Sequence, residues 1–333
     1  MQATVFCSGG ARGCRLGCLS AARPAGGSPS RRWQRPRHAA LRCRQRQAPA
    51  AEVQHEVDDR SSRNPCGFYP SVWGDFFLHH SDPAASSQKQ QTWMVERVEQ
   101  LMKDVSKLIS SSTTYLERMN LIVALERLCL DYLFEKDINV ELKQIYSANV
   151  SDFDLHTVAI WFYLLRKHGY MVSPDVFVKF LDEDGTFLTA TPRELLSLYN
   201  AAHFSIHGEI ILDKAISFTK RSLESKLLYL EGLMAHEIQC ALEIPLPRRV
   251  AIYDVKIYIS TYEKEATMNK SVLKLAKVNF NLMQLQYQQE LKITTRWWNN
   301  LQVHSRLPFA RDRLVECYLW MLGVYYQPNC SLG

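Results

Sequence analysis

From about residue 87 onward, apolar positions recur every three or four residues. Met94, Val98, Leu101, Met102, Val105, Leu108 and Ile109 mark one face of a helix predicted over residues 87–110. Ile122, Leu125, Cys129, Tyr132 and Leu133 predict a second over residues 113–135. Leu155, Val158, Ala159, Phe162 and Leu165 mark a third, which the basic run Arg166-Lys167-His168 and then Gly169 bring to a stop. Ser173-Pro174 and Thr191-Pro192-Arg193-Glu194 read as helix starts. Each sets a capping hydroxyl before a proline at the first helical position, and Glu194 completes a capping box. Residues 180–185 (FLDEDG) read as a polar turn between helices. No stretch sustains strand alternation and no Asn-Gly hairpin occurs. The predicted fold class is all-α, with helices of roughly 12–25 residues packed as antiparallel pairs. A helical solenoid is disfavoured, because nothing recurs at a period of about 34–47 residues.

Charge divides the chain. Of its 333 residues, the first 51 hold ten Arg and no acid, whereas the rest hold 30 Lys and Arg against 34 Asp and Glu. The basic excess therefore belongs to the N-terminal arm, and the body has no general attraction for nucleic acid. The arm is rich in Arg, Ala, Gly and Ser and has four prolines. That composition predicts disorder and resembles an organellar transit peptide, with the plastid as first expectation and the cytoplasm if the arm is no transit peptide. The nine cysteines form no CxxC pair, so they read as free thiols in a reducing compartment. The longest apolar run, Thr157–Leu165, falls short of the roughly 18–20 residues that span a bilayer, which predicts a soluble protein.

Three segments carry a resemblance. Residues 63–75 run from Arg63-Asn64 through Pro70-Ser71-Val72-Trp73-Gly74-Asp75. Residues 191–219 and 241–249 (ALEIPLPRR) follow, and then residues 275–291, 295–301 (TRWWNNL) and 307–320 (LPFARDRLVECYLW). In this order and spacing the chain resembles the plant terpene synthases over roughly residues 60–333. Their RRx8W motif ends in PSxWGD; Arg63 and Trp73 are in register, and Asn64 stands where the family has its second Arg. That departure weakens a monoterpene-cyclase reading. The DxDD acid motif of the class II cyclases, which the family's N-terminal domain lacks, is absent here too.

The resemblance implies a disordered arm at 1–51, an extended N-terminal strand at 52–85 and a double-layered, α/α barrel-like helical domain at 86–250. It further implies the first helices of a class I metal-binding catalytic domain at 251–333. The implied activity is a carbon–oxygen lyase reaction on a prenyl diphosphate, in terpenoid biosynthesis. Arg311 and Arg313 match the family's diphosphate-holding pair, a role that suits guanidinium groups because they stay charged and grip phosphate oxygens bidentately. Trp320 matches a pocket aromatic whose face can stabilise a carbocation. Arg63 and Trp73 would help close the active-site mouth. The family uses Mg2+ (or Mn2+), held by DDxxD about 35 residues after the Arg pair and by a later NSE/DTE motif. The 333 residues contain neither. The chain is therefore expected to be truncated and inactive by itself, with association with a full-length synthase as the alternative. Asp182-Glu183-Asp184 reads as a solvated turn. His236-Glu237 fails the HExxH zinc pattern because Cys240 stands fifth.

Overall fold

The computed structural model describes residues 71–79, 84–188, 190–307 and 311–324. The N-terminal arm, Arg63 and Asn64 lie outside them. Among the described residues every element is helical, apart from one isolated bridge between Leu181 and Phe187 that closes the 182–186 turn. The all-α expectation holds.

The predicted face of α2 (Ala84–Ser111) is buried at Met94, Val98, Leu101, Val105 and Ile109. It packs along α10 (Lys270–Asn300), a partner far away in sequence. Helix α3 (Tyr115–Arg127) opens on a capping box, Glu117 N–H to Thr114 Oγ1 at 3.2 Å and Thr114 N–H to the Glu117 carboxylate at 3.3 Å. The single helix expected over 113–135 is broken. Cys129 takes φ +53°, Leu130 N–H reaches Leu125 O at 2.8 Å and Cys129 N–H reaches Glu126 O at 3.2 Å. This pair of bonds is a Schellman stop. A 3-10 turn (Asp131–Phe134) then leads into α4 (Glu135–Tyr146).

Helix α5 (Leu155–Lys167) is the centre of the core. Asp154 caps it through Thr157 N–H at 2.8 Å, and Gly169, at φ +80°, ends it with Tyr170 N–H on Leu165 O. Only one apolar stripe was expected, yet Trp161, Tyr163 and Leu164 are buried as well. A helix apolar on all sides must be enclosed, and each such side chain contributes about 1.5–3 kcal/mol. Trp161 Nε1 donates to Ile145 O at 2.8 Å, so its buried polar atom is satisfied.

Ser173 caps a 3-10 turn (Pro174–Phe180) rather than an α-helix. The Thr191–Glu194 capping box opens α6 (Pro192–Ala202), which packs between α5 and α7 (Ile210–Leu227). Helices α8 (Gly232–Glu243) and α9 (Ala251–Tyr262) follow. Two charged ties bind α5 to its neighbours. Buried Glu126 accepts from Lys167 at 2.7 Å and hydrogen-bonds His168 at 2.6 Å. Arg166 pairs with Glu209 in the turn before α7, both side chains almost wholly buried. Asn269 caps α10 through Ser271 and Val272 N–H. The first half of α10 (Val272, Leu275, Ala276) shares the main core with α3, α5 and α9. Its second half packs against the short helix α1 (Phe76–His79) and against α12 (Leu314–Val324), and the short helix α11 (Val303–Arg306) follows it in the chain. No helix of the described residues is long and apolar enough to cross a membrane.

Candidate active site

The candidate site lies where α1, α10 and α12 meet. Gly74, at φ +42°, turns the PSVWGD segment into α1, a backbone state that favours glycine. Trp73 then stacks on Phe77, ring centres 5.7 Å apart at 27°. Phe77 is buried against Leu291 of α10 and Val315 of α12, with Tyr318 packed alongside. Asp75 accepts from Asn299 Nδ2 at 2.7 Å and so ties the segment to the end of α10. Thus Trp73, which sequence placed some 240 residues from the Arg-Asp-Arg triplet, sits one side chain from the helix which that triplet opens.

At the start of α12, Asp312 caps the helix by accepting Leu314 N–H at 3.2 Å. The Arg313 carbonyl accepts the helical bond from Cys317 N–H at 2.8 Å. One oxygen of the carboxylate between the two arginines is thus bonded to the backbone. The Arg313 guanidinium carbon lies 5.9 Å from the centre of the Trp320 ring, a cation–π geometry. Two of the residues singled out from sequence, Arg313 and Trp320, are therefore neighbours about two helical turns apart, and Arg311 is exposed nearby in sequence. Trp320 itself is 59% exposed, with Met321 and Val324 on the same helix. Among the described residues it stands on an open face. Arg63 lies outside them.

Helix α12 is held by groups that sequence reasoning did not single out. Tyr253 of α9 donates to Leu319 O, and a Cβ on Gly323 would lie 2.9 Å from the same hydroxyl, so the two helices cross closely. Tyr318 donates to the Glu290 carboxylate of α10. Burial, and then the bond to Glu290, push the Tyr318 phenol well above its ordinary range, so it stays a donor. Among the described residues no group of three or more His, Cys, Asp or Glu could hold a metal ion. Asp182, Glu183 and Asp184 are exposed in their turn, and Asp182 accepts Thr186 N–H at 2.8 Å. The described residues do not fit a magnesium site.

The terpene synthase N-terminal domain model matches residues 72–242, and the terpene synthase family metal-binding domain model matches residues 299–333. The chain belongs to the terpene synthase family. Among its relatives is α-terpineol synthase, chloroplastic, of Zea mays, 56% identical over 278 residues, covering 82% of this chain and 44% of the relative. A (S)-β-macrocarpene synthase of Zea mays is 48% identical over 264 residues, covering 79% and 48%. The chain thus spans about half the length of the curated terpene synthases it matches. A solved limonene synthase with 2-fluorolinalyl diphosphate superposes with TM-score 0.72 at 33% identity, covering 77% of this chain and 49% of that one. Isoprene synthase from grey poplar, in complex with three Mg2+ ions and dimethylallyl-S-thiolodiphosphate, gives TM-score 0.65 at 34% identity, covering 71% and 47%.

Proposed function

We propose that the chain acts in terpenoid biosynthesis as part of a class I terpene synthase, with a prenyl diphosphate as substrate and residues 251–333 opening the catalytic domain. The observation that carries this reading is the Arg313 guanidinium beside the Trp320 face at the start of α12. Arg313 and Arg311 hold the departing pyrophosphate, whose growing negative charge fixed guanidinium groups stabilise. Trp320 offers its ring to the cation left behind. Trp73, stacked on Phe77 and followed by Asp75, which is bonded to Asn299, sits toward the same end of α10. Magnesium is the metal of the solved relative. No step assigned to these residues runs through it, because its carboxylate ligands are not among them. The plastid is the proposed location, supported by the chloroplastic maize relative.

The test is pyrophosphate binding and product formation by the 333-residue polypeptide. Arg313→Ala and Arg311→Ala should each weaken pyrophosphate binding at least fivefold. Neither the parent nor a variant should release product from geranyl or farnesyl diphosphate with magnesium. Unchanged binding in both variants removes the arginines from the site.

Leu319, Trp320, Met321, Val324, Ile293 and Trp297 favour a second reading, in which residues 272–326 dock on a full-length synthase. All are exposed apolar groups on α10 and α12. Co-elution with a synthase on sizing supports it, and a stable, well-behaved monomer in its presence counts against it.

A further inference from the structure

The turn that joins α7 to α8 exposes two large apolar side chains in succession, Leu228 at 78% and Tyr229 at 86%. Leu227 and Leu230, on either side, pack against the cluster that holds Leu223 and Ile238. The turn is therefore anchored from beneath while Leu228 and Tyr229 stand in water. Adjacent apolar groups held outward in this way mark a contact surface.

The surroundings of the turn are cationic. Three residues after Tyr229, a reach of at most about 11 Å, Gly232 edges an open groove of about 780 Å3 between α8 and α9. His236, Lys256, Ser260 and Lys264 line it beside Leu233 and Ile257, and no carboxylate does. Among the described residues neither Lys256 nor Lys264 makes an ion pair, and Glu263, next to Lys264, is held by Lys277 at 2.7 Å. Glu237 and Glu265 line the separate cavity that holds Arg127, and Asp254 pairs with Arg249. Residues 220–233 hold Lys220, Arg221 and Lys226 against Glu224 and Glu231. With Lys256 and Lys264, five cations thus stand against two carboxylates, in a body that otherwise carries more acid than base. An apolar tip with a cationic rim complements an anionic bilayer surface. Tyrosine suits the headgroup layer, leucine the acyl boundary beneath it, and lysine the lipid phosphates. A free anion would engage the lysines and leave Leu228 and Tyr229 in water.

We propose that the α7–α8 turn is a peripheral docking site for an anionic lipid bilayer, Leu228 and Tyr229 entering the headgroup layer and Lys226, Lys256 and Lys264 meeting its phosphates. The surface uses neither Arg313 nor Trp320, so it stands apart from the proposed reaction. The test is hydrogen exchange of the 333-residue chain on vesicles of phosphatidylcholine, alone and mixed with phosphatidylglycerol. Exchange is read locally because the ten Arg of the first 51 residues can bring the chain to anionic vesicles without the turn. Amides of residues 226–233 should exchange about threefold or more slowly on the mixed vesicles and be unchanged on phosphatidylcholine. Leu228→Ser with Tyr229→Ser, and separately Lys256→Glu with Lys264→Glu, should each remove that protection. Far-UV dichroism should stay parent-like in both, since all four side chains are exposed. Absence of protection at the turn, parent-like protection in either double variant, or equal protection by phosphatidylcholine would overturn the proposal. So would the same protection by inorganic phosphate or by self-association without lipid, either of which names another occupant.

Discussion

Cys129 does in this chain what glycine usually does. It occupies the left-handed position that ends α3, at φ +53°, with its side chain 6% exposed. A β-branched residue is strained there. Cys129→Val is expected to cost about 1–2 kcal/mol, and Cys129→Gly to stay within about 1 kcal/mol of the parent, in urea unfolding. Burial, and then Asp131, push the Cys129 thiol up to about 12, so it should remain unmodified by thiol reagents in the native protein while exposed Cys317 reacts. At the Arg166–Glu209 pair, with side chains 6% and 12% exposed, Glu209→Gln leaves a buried guanidinium without its counter-charge. The expected loss is about 3 kcal/mol by the same measurement. A loss below about 1 kcal/mol would show that the pair is solvated.

At the scale of elements, α12 depends on α9 and α10. Tyr253→Phe removes the donor to Leu319 O without adding bulk. Amide exchange in α12 should quicken while that of α5 is unchanged, and equal exchange in α12 would show that Gly323 packing alone holds the helix. Much of this level was legible in the sequence. Gly169 marked the end of α5 and Thr191-Pro192 with Glu194 marked the start of α6, because stops and caps are local chemistry. The break at residue 129 was not legible, since cysteine is not a residue that announces a left-handed stop. Nor was the pairing of α2 with α10. Periodicity shows that a face is apolar and says nothing about which partner covers it. The same limit hid the candidate site: the PSVWGD and Arg-Asp-Arg motifs were visible, whereas the Asp75–Asn299 bond and the Phe77–Leu291–Val315 cluster that join them exist only once the chain has folded.

At the scale of the molecule, buried His156 and half-buried His203 set a dependence on acidity. Burial, and then Arg193, hold His156 at about 4, and burial with Arg248 does the same for His203. The unfolded chain binds these protons near pH 6.5 and the folded one does not until about 4. Stability is therefore full above the unfolded value and is lost as pH falls from 6.5 toward 4. For His156, 8% exposed, the loss is on the order of 2 kcal/mol. His156→Gln should flatten the stability profile in that window, and an unchanged slope would show that the imidazole is charged in the fold. The long-range contact of α2 and α1 with α10 also joins the two ends of the described chain, so the candidate site rests on the integrity of the whole helical body.

The central claim is that these residues present a diphosphate grip without a metal site. Calorimetric titration of the 333-residue polypeptide with inorganic pyrophosphate, with and without Mg2+, tests it most directly. The expected result is weak binding that Arg311→Ala and Arg313→Ala diminish and that magnesium leaves within about threefold. A tenfold or greater tightening by magnesium, after correction for the magnesium–pyrophosphate complex that forms in solution, would contradict the claim.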